Sequence, residues 1–126
     1  MGWTIDYLEE DDVILVKLLS PLTLEGLKPL LQNMTSLAVQ HDSHKYLVDH
    51  RGVEAAMSVL DLEKVPGIVK DVGVDPKGKV VVLVEPSSPQ STLFTFVKNV
   101  LNLALVEIKI FHDKDEALTW LRLQTQ

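Results

Sequence analysis

The residues best able to do chemistry stand together where an apolar run stops. Lys45 to Val53 reads KYLVDHRGV, so Tyr46, Leu47 and Val48 lead straight into Asp49, His50 and Arg51. A carboxylate, an imidazole and a guanidinium at the end of a buried strand supply a base, a titratable ring and a fixed cation. Arginine in such a place can grip a carboxylate or phosphate through two parallel N–H groups. Two other apolar runs end similarly: Val80 to Val84 is followed by Glu85, Ser87, Ser88 and Ser91, and Val106 to Phe111 by His112 and Asp113. In an open parallel sheet the loops leaving the strand C-termini share one edge, and ligands bind in the crevice there. The spacing therefore predicts one edge carrying all three clusters, with backbone amides added where a helix begins near Ser91 and Thr92.

Each of these residues also has an ordinary structural reading. Asp49 and Arg51 make a natural ion pair, and aspartate readily satisfies turn amides. A lone His50 reads as a solvent-facing polar residue. Ser87 and Ser88 sit between Pro86 and Pro89 as turn formers, Ser91 reads as a helix cap, and His112 with Asp113 belongs to the start of the last helix. A serine hydrolase needs a base within reach of the nucleophile and a third group orienting that base, and the Gly-x-Ser-x-Gly elbow is absent. For a metal, His41 and His44 have one-turn spacing, but the intervening Asp42 and Ser43 suggest a loop and no third ligand is evident; His50 with His112 and Asp49 is the other set the sequence offers. No catalytic residue, metal or cofactor is expected.

The elements that must hold these residues follow from periodicity. Trp3, Ile5 and Tyr7 alternate with Thr4 and Asp6, as in a strand with one buried face; Val13 to Leu19, apolar except for Lys17, reads as an interior strand paired to it across an acidic turn. From Leu24 a helical stripe runs through Leu27, Leu30, Leu31, Met34, Leu37 and Ala38, with Thr23 as N-cap and with Gly26 and Pro29 predicting a kink or a late start. Ser58 with Asp61 predicts a capped helix from Val59, divided at Pro66 and Gly67 and stopped by Gly73. A helix from about Thr92 carries Phe94, Val97, Val100, Leu101 and Ala104, and Asp113 with Glu116 predicts the cap of a last helix. The order is β-β-α-β-α-β-α-β-α: an α/β fold with a mostly parallel five-stranded sheet and an antiparallel N-terminal edge strand.

The LVDHRGV strand end, the PSSPQS loop, the FTFVKNVLN segment and the closing IFHDKDEALTWL occur in an order that resembles the SpoIIAA-like family of STAS-type domains over nearly the whole chain. The resemblance implies a bacterial or archaeal cytosolic module related to anti-sigma-factor antagonists and, more distantly, to lipid-binding Sec14-type domains. Antagonist domains carry a phosphorylatable serine after the third strand within an aspartate-serine-x-glycine signature. Ser58 is its counterpart here, but Met57 and Leu60 replace the aspartate and glycine, so the N-cap reading stands ahead of a phospho-switch.

The remaining bounds come from composition. A 126-residue chain fits one domain, 1–126, and buries roughly two-thirds of its unfolded surface. Acidic residues outnumber basic ones 18 to 12, which removes the electrostatic drive for nucleic-acid binding. Zero cysteines exclude disulfides and thiolate metal sites, the acidic N-terminus does not resemble a signal peptide, and Val97 to Phe111 is too interrupted by polar residues for the ~20 apolar positions of a membrane span. The expected role is that of a cytoplasmic, non-catalytic module that binds a protein partner or a second copy of itself, with Asp49, His50, Arg51 and Ser58 as the surface that is read. The Phe94 to Leu105 segment has more apolar residues than one stripe needs, so it either packs deeply into the core or offers a homodimer contact or a groove for an apolar ligand, the dimer contact standing ahead of the ligand groove. The alternative is a carrier or sensor of a small anionic or lipid-like molecule held at the sheet edge by Arg51 and the Glu85 to Ser91 loop.

Overall fold

The computed structural model describes residues 2–53, 57–75, 77–85 and 107–124. Eight elements lie within them: β1 (Trp3–Leu8), β2 (Val13–Leu18), α1 (Leu24–His41), β3 (Lys45–Asp49), α2 (Val59–Val72), β4 (Lys79–Leu83), β5 (Glu107–Phe111) and α3 (Lys114–Arg122). The expected helix from Thr92, with its Phe94 to Leu105 dimer contact, lies outside the described residues, as do Ser87, Ser88 and Ser91.

The five strands stand in sequence order β1-β2-β3-β4-β5, with β1 antiparallel to β2 and every other pair parallel. Right-handed crossovers that keep stepping in one direction place their helices on one face of a sheet. Accordingly α1 and α2 share a face, where Leu27 of α1 packs with Leu62, Val65 and Val69 of α2 over Val82 and Ile108. On the opposite face, Ala117, Leu118 and Leu121 of α3 cover Val13, Leu47, Val81 and Leu83. Pleating decides which residue goes where: Tyr46 and Val48 meet α1, whereas Leu47 meets α3.

Local signals account for most boundaries. Thr23 Oγ1 accepts the Gly26 amide at 3.1 Å and caps α1, which ends at Asp42 in the left-handed conformation. The Ser58 hydroxyl accepts from the Asp61 amide while the Asp61 carboxylate accepts from the Ser58 amide, closing a reciprocal capping box at the start of α2. Gly73 ends α2 at φ 80°, a region open to glycine.

Three expectations need correction. Helix α1 starts at Leu24 despite Gly26 and Pro29, because the Thr23 cap fixes its first turn and Pro29 sits on the exposed side, where water can serve the carbonyl its ring leaves without an amide partner. Helix α2 is continuous through Pro66 and Gly67, since the stripe of Leu62, Val65 and Val69 buries its inner face and outweighs the local penalty. At α3 the Asp113 side chain accepts from the Asp115 amide at 3.4 Å, so the cap is made with Asp115 and not with Glu116. Among the described residues no helix is long and apolar enough to cross a membrane.

Candidate functional site

Asp49 is the last residue of β3 and His50 continues the strand's pairing one step further, its amide donating to the Leu83 carbonyl at 2.9 Å. Alternation therefore extends past the strand end and sends the two side chains to opposite faces. Both are buried, Asp49 at 6% and His50 at 7% exposure. This corrects the expectation of a solvent-facing His50 and of a readable surface that includes Asp49.

Asp49 is the hub of a charged cluster. Its Oδ1 accepts from the Arg51 amide at 2.9 Å and from Arg51 Nε at 3.1 Å, while its Oδ2 accepts from the second guanidinium arm at 3.1 Å. Lys17 Nζ stands 3.5 Å from the same Oδ2 and donates to the Arg51 carbonyl at 3.0 Å. One carboxylate thus holds two cations and a turn amide. Burial alone pushes its pKa up, but the Arg51 side chain and amide and the Lys17 charge prevail and hold it below the ordinary aspartate range. The turn that follows needs Gly52 at φ 78°, and the Gly52 amide donates to Glu85 Oε1 at 2.7 Å, tying the β3 exit to the β4 exit.

The other candidates at this edge are engaged in structure. His112 is exposed, and its Nδ1–H donates to the Val84 carbonyl at 3.0 Å. Ser58 is exposed and its hydroxyl serves the α2 cap. Asp49 and His50 point to opposite faces, so they cannot converge with His112 on one ligand. His41 stacks on Tyr7 with ring centroids 3.9 Å apart, and His44 Nδ1 pairs with Asp75 Oδ2 at 2.7 Å, so these two histidines serve different partners.

His50 lies on the face covered by α1 and α2, at the border of a cavity of about 140 Å³ between those helices and the sheet. Leu30 and Leu31 of α1, Val65 and Val69 of α2, and Val82 of β4 are among the side chains forming its wall. Burial is the main cause that pushes the His50 pKa down to about 4; Lys17 adds to the shift and the nearby Asp49 charge opposes it. The ring is therefore neutral at physiological pH.

Sequence reasoning brought Asp49, Arg51 and Glu85 to one edge and missed Lys17 and the cavity. Lys17 had a partial signal, being the lone charge in an apolar strand, and its pairing with Asp49 follows from the parallel register seen in the structure. The cavity had none, because most of its wall is made of the same apolar residue types as the rest of the core.

Comparison with protein-family models and with curated proteins gives no match. Among solved structures, an uncharacterized DUF3478-family protein with a SpoIIAA-like fold from Shewanella loihica PV-4 aligns with a TM-score of 0.60 at 20% identity, over 94% of this chain and 91% of that one. The two share the fold, and a described core of four parallel strands edged by an antiparallel β1 fits it. The chain has a SpoIIAA-like α/β fold.

Proposed function

We propose that this chain is a non-catalytic binding module that acts by contacting a protein, either a regulatory partner or a second copy, through the turn after β3. The observation that carries this reading is the way Asp49 and Glu85 hold that turn. Asp49 takes the Arg51 amide, the guanidinium and Lys17, and Glu85 takes the Gly52 amide. A turn fixed on both sides presents Arg51 and Glu85 with little left to order on association, which lowers the entropic cost of binding, and the proposed surface extends from them to the exposed His112 and Ser58. The same engagement argues against catalysis, since a nucleophile needs a base within hydrogen-bond reach and these hydroxyl, carboxylate and imidazole groups are occupied elsewhere. A free anion at this edge would have to compete with Asp49 for both cations, so the geometry favours a protein surface over a small anionic ligand.

The test uses the whole chain and an Arg51→Lys variant as baits in the host extract, with sedimentation of each protein alone. Lysine keeps the charge and loses the two-pronged fork. The expected result is a specific protein, or self-association, that the wild type holds and the variant holds at least tenfold less well. Equal retention by both baits would overturn the reading.

A further inference from the structure

We infer that the cavity between the sheet and helices α1 and α2 is a binding site for a compact, neutral, hydrocarbon-like molecule about the size of benzene. The inference stands apart from the partner reading, because it concerns the opposite face of β3 and none of the residues of the charged turn.

Size is the first ground. Protein interiors are packed like molecular crystals, with few voids larger than a water molecule. This cavity, partly open at one side, has a volume of about 140 Å³, well above that. It is close to the ~150 Å³ at which an apolar cavity, engineered in another protein, stays dry and takes up benzene or xenon.

Chemistry of the wall is the second. The surface facing the cavity is apolar throughout: Leu30, Leu31, Val65, Val69 and Val82 supply branched aliphatic groups, and His50 at the border presents carbon. Water needs two to four polar partners to remain in such a space, and this wall does not provide them. A charged occupant would be stripped of its hydration without compensation. A neutral hydrocarbon loses nothing polar on entry and gains dispersion contacts that the empty wall forgoes. The wall is built on α1, α2 and the strands β3, β4 and β5, all tied into the core, so the shape is largely set before a ligand arrives.

The experiment titrates methyl-labelled full-length chain with benzene, and separately with benzoate, which carries the same ring with a charge. Saturable shifts centred on the methyls of Leu30, Val65, Val69 and Val82 are expected for benzene, with benzoate at least tenfold weaker. A Val69→Phe variant fills the space and should weaken benzene binding at least tenfold while keeping a dispersed amide spectrum. If that variant does not fold, Val82→Ile, which adds one carbon at the same wall, should still weaken binding measurably. Absence of saturable shifts up to the solubility of benzene would overturn the site and leave the void as a packing feature. Equal binding of benzoate, or binding unchanged in the folded filled variant, would overturn it as well.

Discussion

Asp49 and His50 are consecutive residues at the end of one strand, yet they occupy unlike environments. On the α3 face, Asp49 is charged, with its pKa held down by Arg51 and Lys17. On the α1 and α2 face, His50 is neutral, with its pKa pushed down to about 4 by burial. Both are buried to nearly the same degree. What separates them is the balance of causes: for Asp49 the Arg51 and Lys17 charges and the turn amide outweigh burial and keep the carboxylate ionised, whereas for His50 burial outweighs the nearby Asp49 charge and the ring sheds its proton. Exposure alone therefore says little about charge state, and the parity of a residue in its strand says a good deal.

The comparison breaks most sharply at Asp49. Replacing it by alanine removes the hub and leaves Lys17 and Arg51 facing each other across a partly exposed turn. A loss of about 3 kcal/mol is expected, at the low end for a broken buried pair because both cations are partly exposed to water. Urea unfolding at neutral pH checks this, and a loss under about 1 kcal/mol would mean that the cluster is only surface decoration. The wild-type contribution is fully present above the unfolded aspartate pKa of about 3.9 and is lost as pH falls through the lower folded value.

The His50 side has a different pH window. Its folded pKa of about 4 lies below the ordinary 6.5, so the unfolded chain takes up a proton first as pH falls. Stability from this group is complete above about pH 6.5 and declines toward pH 4, by up to about 3 kcal/mol. A His50→Leu variant should flatten that stretch of the stability profile and leave the steeper loss below pH 4, which belongs to Asp49 and other carboxylates. If both stretches flatten together, the two residues are coupled and the division between faces fails.

Smaller effects sharpen the contrast. Ser58→Ala removes one half of the capping box and should cost about 1 kcal/mol, whereas Ser58→Asp should restore most of it, since aspartate is an equally good cap and its charge suits a helix N-terminus. Arg51→Lys should change stability by less than about 1 kcal/mol while weakening partner binding, because the fork is half-exposed but its geometry is specific. Thermal unfolding of the two variants beside the wild type reads both.

Much of this frame was legible before any coordinates. The hairpin, the parallel strands, the Thr23 and Ser58 caps and the Gly73 stop rest on local chemistry that a few neighbouring residues express. Helix α2 misled because Pro66 and Gly67 are strong local breakers, while Leu62, Val65 and Val69 act through contacts with Leu27 and Val82 that are distant in sequence. Lys17 could be paired with Asp49 only once the strand register was known. A lone histidine after a strand reads as solvent-facing, whereas the His50 amide bond to Leu83 carries the strand pattern one residue past Asp49 and turns the ring to the covered face. A cavity is a shortfall of volume among residues of the expected kind, so no residue type announces it.

The most direct measurement is an NMR pH titration of the four histidine rings in the whole chain. If the two faces of β3 differ as described, the His50 ring stays neutral through pH 5 and changes only near pH 4. A His50 transition near the ordinary value of about 6.5 would place the ring in water and contradict the account of two unlike sites built back to back on one strand end.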